Sequence, residues 1–179
     1  MVDEKLGMSV EKVCGIKLTG SKEEECSVAV LGEELKTLST KDDSEIIELV
    51  VEEMPSVVAF TNPFTKRNDK GFREKEKKLV DDGHSFLPPS MFDGNLIERT
   101  FYIKKVLENR YGPQFIETRP KITSEVLGIE EDRDLDLLGI ESSGIKNMKE
   151  FEAVLAAYTA RKFLENDYVD RGFIFPKED

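Results

Sequence analysis

The chain has 179 residues, a mass of 20.4 kDa and a formal charge of -11, which suits one compact domain and leaves too little chain for a second independent core. An acidic chain lacks the field that drives loose coating of phosphate backbones, so a broad basic nucleic-acid surface is excluded, whereas metal-assisted chemistry is not, because ions would bring the positive charge. No apolar stretch approaches the roughly 20 residues that span a bilayer. The opening MVDEKLGMSV has no basic start and apolar run of the secretory kind. Cys14 and Cys26 form no C-x-x-C pair and are expected as reduced, buried thiols. These features lead to the expectation of a cytoplasmic protein with no membrane partner.

In chain order, Lys12 to Leu18 and Cys26 to Leu31 predict strands joined through the polar turn Thr19 to Glu25, a hairpin signal. Glu34 to Leu38 predicts a third short strand. Asp42, Asp43 and Ser44 offer caps for a helix that buries Ile46, Ile47, Val50, Val51 and Met54 and ends at Pro55. Ser56 to Phe60 is a continuous apolar run, the kind covered on both faces of a sheet. A polar stretch, Thr61 to Gly71, precedes a charged helix through Phe72, Glu76, Leu79 and Val80 that Gly83 closes. Pro88 and Pro89 mark a rigid loop. Leu96 to Tyr111 predicts a helix with Phe101, Val106 and Leu107 inward, Gln114 to Thr118 a strand, and Lys121 to Leu127 a short helix. Asp132 to Glu141 reads as irregular or briefly helical. The last helix, Met148 to Leu164, carries Phe151, Leu155 and Tyr158 on one stripe, and Ala153, Ala156, Ala157 and Ala160 would let it approach a neighbour closely. Val169 to Phe175 predicts a final edge strand. Strands separated by helices imply parallel neighbours beside the opening hairpin. The expected fold is therefore α/β, a mixed sheet of antiparallel meander and parallel strands flanked by helices, in a single domain over residues 1–179 with its core at about 12–176.

Several motifs fail on their chemistry. Gly15 to Lys22 resembles a phosphate loop, but Ser21 rather than Lys follows Gly20, and Glu23 to Glu25 place negative charge where phosphates would sit. Asp132, Asp134 and Asp136 open like a calcium loop, yet Leu137 replaces the required glycine and Ser143 stands at the twelfth position. His84 is the sole histidine, which excludes a two-histidine metal motif; it is expected to face solvent or stabilise its loop.

Four positions carry more information together. Lys17 shares a strand face with Val13 and Gly15. Thr61 ends SVVAF, Glu117 ends QFIET, and Glu152 lies on the alanine-rich helix. Strands that deliver residues to one sheet edge build sites there. The segments Gly15-Ile16-Lys17-Leu18-Thr19, Phe60-Thr61-Asn62-Pro63, Arg73 through Pro88-Pro89, Ile116-Glu117-Thr118-Arg119-Pro120, Glu150-Phe151-Glu152-Ala153 and Gly172 to Pro176 resemble, in order and spacing, a family of predicted nucleases with a ribonuclease H-like fold, filed as a domain of unknown function. The resemblance spans nearly the whole chain.

That resemblance implies a ribonuclease H-like architecture with catalytic positions at Lys17, Thr61, Glu117 and Glu152. The family has aspartates where Lys17, Thr61 and Glu152 stand, and its carboxylates are the presumed ligands of divalent ions. Lysine changes the charge by two units at the first position, and Thr61 offers only a neutral oxygen. Two-metal hydrolysis needs carboxylates converging on ions about 3.5–4 Å apart. A degenerate member is therefore expected, with no cofactor, ordinary hydrolysis impaired, and a protein partner or a structured nucleic acid bound in the old cleft. Lys17 is expected to pair with Glu117, and with Glu152 as a further partner, in place of metal. Arg73 and Arg119 are candidate phosphate ligands or surface ion-pair partners. One alternative is an active nuclease holding Mg²⁺ or Mn²⁺ on Glu117, Glu152 and Glu76, with Lys17 acting on the phosphate. Another is a small-molecule-binding domain with Thr61 to Asp69 and Pro88-Pro89 as a lid.

Overall fold

Val13–Lys17 (β1) and Cys26–Leu31 (β2) are buried along almost their whole lengths, as continuous apolar strands covered on both faces must be. They pair antiparallel, with Val13 opposite Leu31 and Lys17 opposite Ser27, and the polar turn closes the expected hairpin. Leu35–Thr40 (β3) adds antiparallel to β2. It runs on past Leu38 because Ser39 and Thr40 still find partners in Ser27 and Cys26. Val57–Phe60 (β4) lies parallel to β1, and Gln114–Glu117 (β5) parallel to β4. The sheet order is β3-β2-β1-β4-β5, the mixed sheet the sequence predicts. This computed structural model describes residues 9–64, 73–85 and 94–178. Phe72 and the Pro88-Pro89 loop lie outside them.

Helices cover both faces. On one side Asp43–Glu53 (α1) and Gly94–Arg110 (α3) bury Ile46, Val50, Ile103 and Leu107 against Cys14, Ile16, Val58 and Phe60. On the other, Met148–Leu164 (α5) lays Phe151, Ala153, Val154 and Ala157 over Val13, Ala29, Val57 and Ala59. The alanine stripe brings α5 onto β1 so closely that a Cβ at Gly15 would stand 2.0 Å from the Ala153 carbonyl oxygen. Asn147 starts α5 by accepting the Glu150 N–H at 3.0 Å, and the Glu150 carboxylate accepts Lys146 N–H at 2.8 Å in return. Asn147→Ala is therefore expected to cost about 1 kcal/mol, read as a lowered urea midpoint at unchanged slope. Glu74–Asp81 (α2) and Pro120–Leu127 (α4) complete the helices, and Asp132–Leu138 forms a 3-10 segment.

Three expectations need correction. Met54 is not inward: it takes φ 48 as the C-cap of α1 and is 60% exposed. The following Pro55 disfavours helical backbone at this residue, and Glu53 is the buried side chain instead, held between Lys12 and Lys36 at 2.5 Å each. Phe101 is 46% exposed, because the buried stripe of α3 runs through Ile97, Thr100, Ile103 and Leu107 and Phe101 falls at its margin. The terminal segment is not an edge strand. Tyr168–Asp170 (β6) and Ile174–Pro176 (β7) pair only with each other, across a turn in which Gly172 takes φ 81. This hairpin packs Phe173 and Phe175 with Leu79 of α2 and Ile122 of α4. Among the described residues, no helix is long and apolar enough to cross a membrane.

Candidate functional site

Parallel pairing delivers the carboxyl ends of β1, β4 and β5 to one edge, the usual place for a site in a sheet of this kind. The ladder runs one step further there: Thr61 N–H donates to the Ile16 carbonyl at 3.2 Å and Thr118 N–H to the Phe60 carbonyl at 3.0 Å. Lys17, Thr61 and Glu117 are thereby brought to the same edge. They do not share a phase. Gly15 pairs with Ala59, whereas Phe60 pairs with Glu117, so strand alternation sets Glu117 out of step with Lys17 and Thr61.

The consequence is two separate ion-pair groups. Lys17 Nζ lies 3.0 Å from Glu152 Oε2 on α5, and both side chains are only part-buried. The expected Lys17–Glu117 pair is absent among the described residues. Glu117, whose side chain is 3% exposed, instead accepts from Arg119 Nη2 at 2.8 Å, Lys75 Nζ at 2.8 Å and Arg73 Nη2 at 2.6 Å. Burial pushes its carboxyl upward, but Arg119, Arg73 and Lys75 together outweigh that and hold it below the ordinary carboxylate range. Burial likewise draws the Arg119 guanidinium down from its usual value, against the pull of Glu117.

Arg73 is shared. Its Nε donates to Glu76 Oε1 at 2.7 Å and its backbone N–H to Glu76 Oε2 at 2.8 Å, so Glu76 also closes the first turn of α2. Arg119 Nη1 donates to the Thr61 and Thr118 carbonyls at 3.2 and 2.9 Å, strapping the ends of β4 and β5 together. The buried ring of Phe173 underlies all three cations, with Lys75 Nζ 4.3 Å, Arg119 Cζ 4.6 Å and Arg73 Cζ 5.6 Å from its centroid. Thr61 and Asn62 are almost fully buried, and neither Thr61 Oγ1 nor Asn62 Oδ1 has a hydrogen-bond partner among the described residues. Asn62 Nδ2 donates to Thr100 Oγ1 at 2.5 Å.

Of the carboxylates the sequence points to, Glu76 and Glu117 meet on Arg73, while Glu152 stands with Lys17. Among the described residues no three His, Cys, Asp or Glu side chains gather into a set that could hold a metal ion. Arg73 and Arg119 are ion-pair partners of Glu117. Sequence reasoning missed Lys75 and Phe173, and only the alternation of basic residues at Arg73 and Lys75 hints at a shared target. The rejected motifs are accounted for by local bonding. Asp134 accepts from the Glu130 and Glu131 N–H groups, Asp136 accepts from Ser142, and His84 Nδ1 lies 3.3 Å from Glu125 at its loop. Both cysteines are free and buried.

The structure is similar to Thermus thermophilus RuvC. A complex of that protein with a Holliday junction substrate superposes with a TM-score of 0.53 at 12% identity, covering 93% of this chain and 99% of the other. A second RuvC structure superposes with a TM-score of 0.53 at 11% identity, covering 92% and 99%. No protein-family model and no curated protein matches the sequence. Five mixed strands, helices on both faces and this likeness together give the chain the ribonuclease H-like fold.

Proposed function

We propose that this protein is a degenerate member of the nuclease fold that binds at its carboxyl edge without divalent metal and carries out no ordinary two-metal hydrolysis. The Lys17–Glu152 ion pair carries the reading. Two-metal chemistry places carboxylates around ions about 3.5–4 Å apart, and here one of the relevant carboxylates already holds an ammonium. Glu117 is neutralised by Arg119, Arg73 and Lys75, and Thr61 has no charge to give. The donor set does not fit a divalent ion.

The ligand class we assign to the edge is a structured nucleic acid. Arg73, Lys75 and Arg119 gather beside Glu76 and Glu117 at this edge, a concentration of cations in a chain of net charge -11. RuvC of the same fold has been solved with a Holliday junction substrate. The test uses a four-way DNA junction, duplex DNA and single-stranded RNA, each with chelator and with millimolar Mn²⁺. Junction binding of equal strength in both conditions, with all three substrates intact, is the expected result. Mn²⁺-dependent cleavage that Glu152→Gln abolishes would contradict the loss of hydrolysis, and failure to bind any of the three would remove the nucleic-acid assignment.

A further inference from the structure

We propose that β3 is a docking edge for an extended, Lys- or Arg-rich peptide, which adds to the sheet as a further strand. The inference is independent of the carboxyl-edge reading. β3 is a terminal strand of the five-stranded sheet. Residues of an antiparallel pair alternate between those bonded to the partner strand and those whose N–H and C=O face away. No described residue makes a backbone hydrogen bond to the outward groups of Leu35–Thr40, so the strand offers a row of unmet donors and acceptors. Its one charged residue, Lys36, is held by Glu53 on the α1 side and does not guard the opposite face.

On that opposite face a groove of about 440 Å³ runs beside β3, floored by Leu31, Leu35 and Thr37 and walled by Ile140. A peptide paired with β3 would send every second side chain into it. Glu33, Glu34 and Glu141 line the same groove. All three are exposed, and none is in an ion pair among the described residues. This concentration selects the occupant. Backbone pairing supplies affinity without regard to sequence, and three exposed carboxylates favour basic residues and disfavour acidic ones. A second copy of this chain paired parallel to β3 would set Glu33 and Glu34 against their equivalents, a repulsion that a basic peptide avoids.

The test titrates the full chain with two labelled octapeptides, one alternating Val and Lys and one alternating Val and Glu, and maps amide hydrogen exchange on the complex. The Lys peptide is expected to bind, to slow exchange at alternate residues of Leu35–Thr40, and to bind at least tenfold more tightly than the Glu peptide. Glu33→Lys/Glu34→Lys/Glu141→Lys, all at exposed positions, should fold normally by circular dichroism and invert that preference. Protection located away from Leu35–Thr40, a less than twofold change in the triple variant, or equal binding of the two peptides would overturn the proposal.

Discussion

Glu117→Gln is expected to destabilise the protein by about 3–5 kcal/mol at pH 7, because breaking a buried ion pair strands the partner charges. The amide keeps the shape of the side chain and removes its charge. Arg119, 8% exposed at its side chain, and Lys75 then lose Glu117, and Arg73 keeps Glu76 alone of its two described carboxylates, all over the same phenyl ring. The sign of the pH dependence follows from the depressed carboxyl of Glu117. Its stabilising contribution is complete above the unfolded carboxyl value of about 4.3 and is lost as pH falls through the lower folded value. Urea unfolding of wild type and variant at pH 7 and in steps below pH 4 checks this. The gap between the two should narrow on acidification. A loss under 1 kcal/mol at pH 7 would mean that Glu117 does not organise the three cations.

Gly15→Ala is expected to cost near the top of the roughly 1–3 kcal/mol range for overpacking, a fall in melting temperature of about 5–10 °C for a chain of this size. The added methyl would lie 2.0 Å from the Ala153 carbonyl oxygen and 2.5 Å from the Ala157 nitrogen. Both are helix backbone, so relief requires α5 to lift from the sheet. The same movement carries Glu152 away from Lys17, coupling a packing defect to the candidate site. Gly32→Ala is the control, since its Cβ would meet only the flexible Lys12 side chain, at 3.2 Å. Its midpoint should move by much less. Equal midpoints for the two variants would contradict the close approach of α5 to β1.

What the sequence made legible is what local chemistry dictates. SVVAF reads as a central strand because every residue is apolar, and β4 is buried throughout. Asp42 reads as a cap and does accept the Ser44 N–H, at 2.8 Å. The alanines of α5 announce a close contact, and Gly15 supplies the other half of it. The partner of Glu117 was out of reach for a different reason. Whether Lys17 or Arg73 meets it depends on strand phase, and the offset between β1 and β5 is set through β4, a property of pairing that neither segment carries alone. Lys75 of α2 reaches Glu117 and lies over the Phe173 ring of the terminal hairpin. That contact exists because β6 and β7 fold on themselves instead of extending the main sheet. Met54 shows the same limit at short range, where the apolar pattern points inward and the following proline decides the backbone.

The most direct measurement on the central claim, that ion pairs occupy the carboxyl edge in place of metal, is a thermal melt of the wild-type protein at pH 7.5 with chelator, with millimolar Mg²⁺ and with millimolar Mn²⁺. An ion present at about 100 times its dissociation constant stabilises its native site by about 2.7 kcal/mol, a plain rise in midpoint. The account predicts the same midpoint in all three conditions. A rise with either ion that disappears in Glu152→Gln would contradict it.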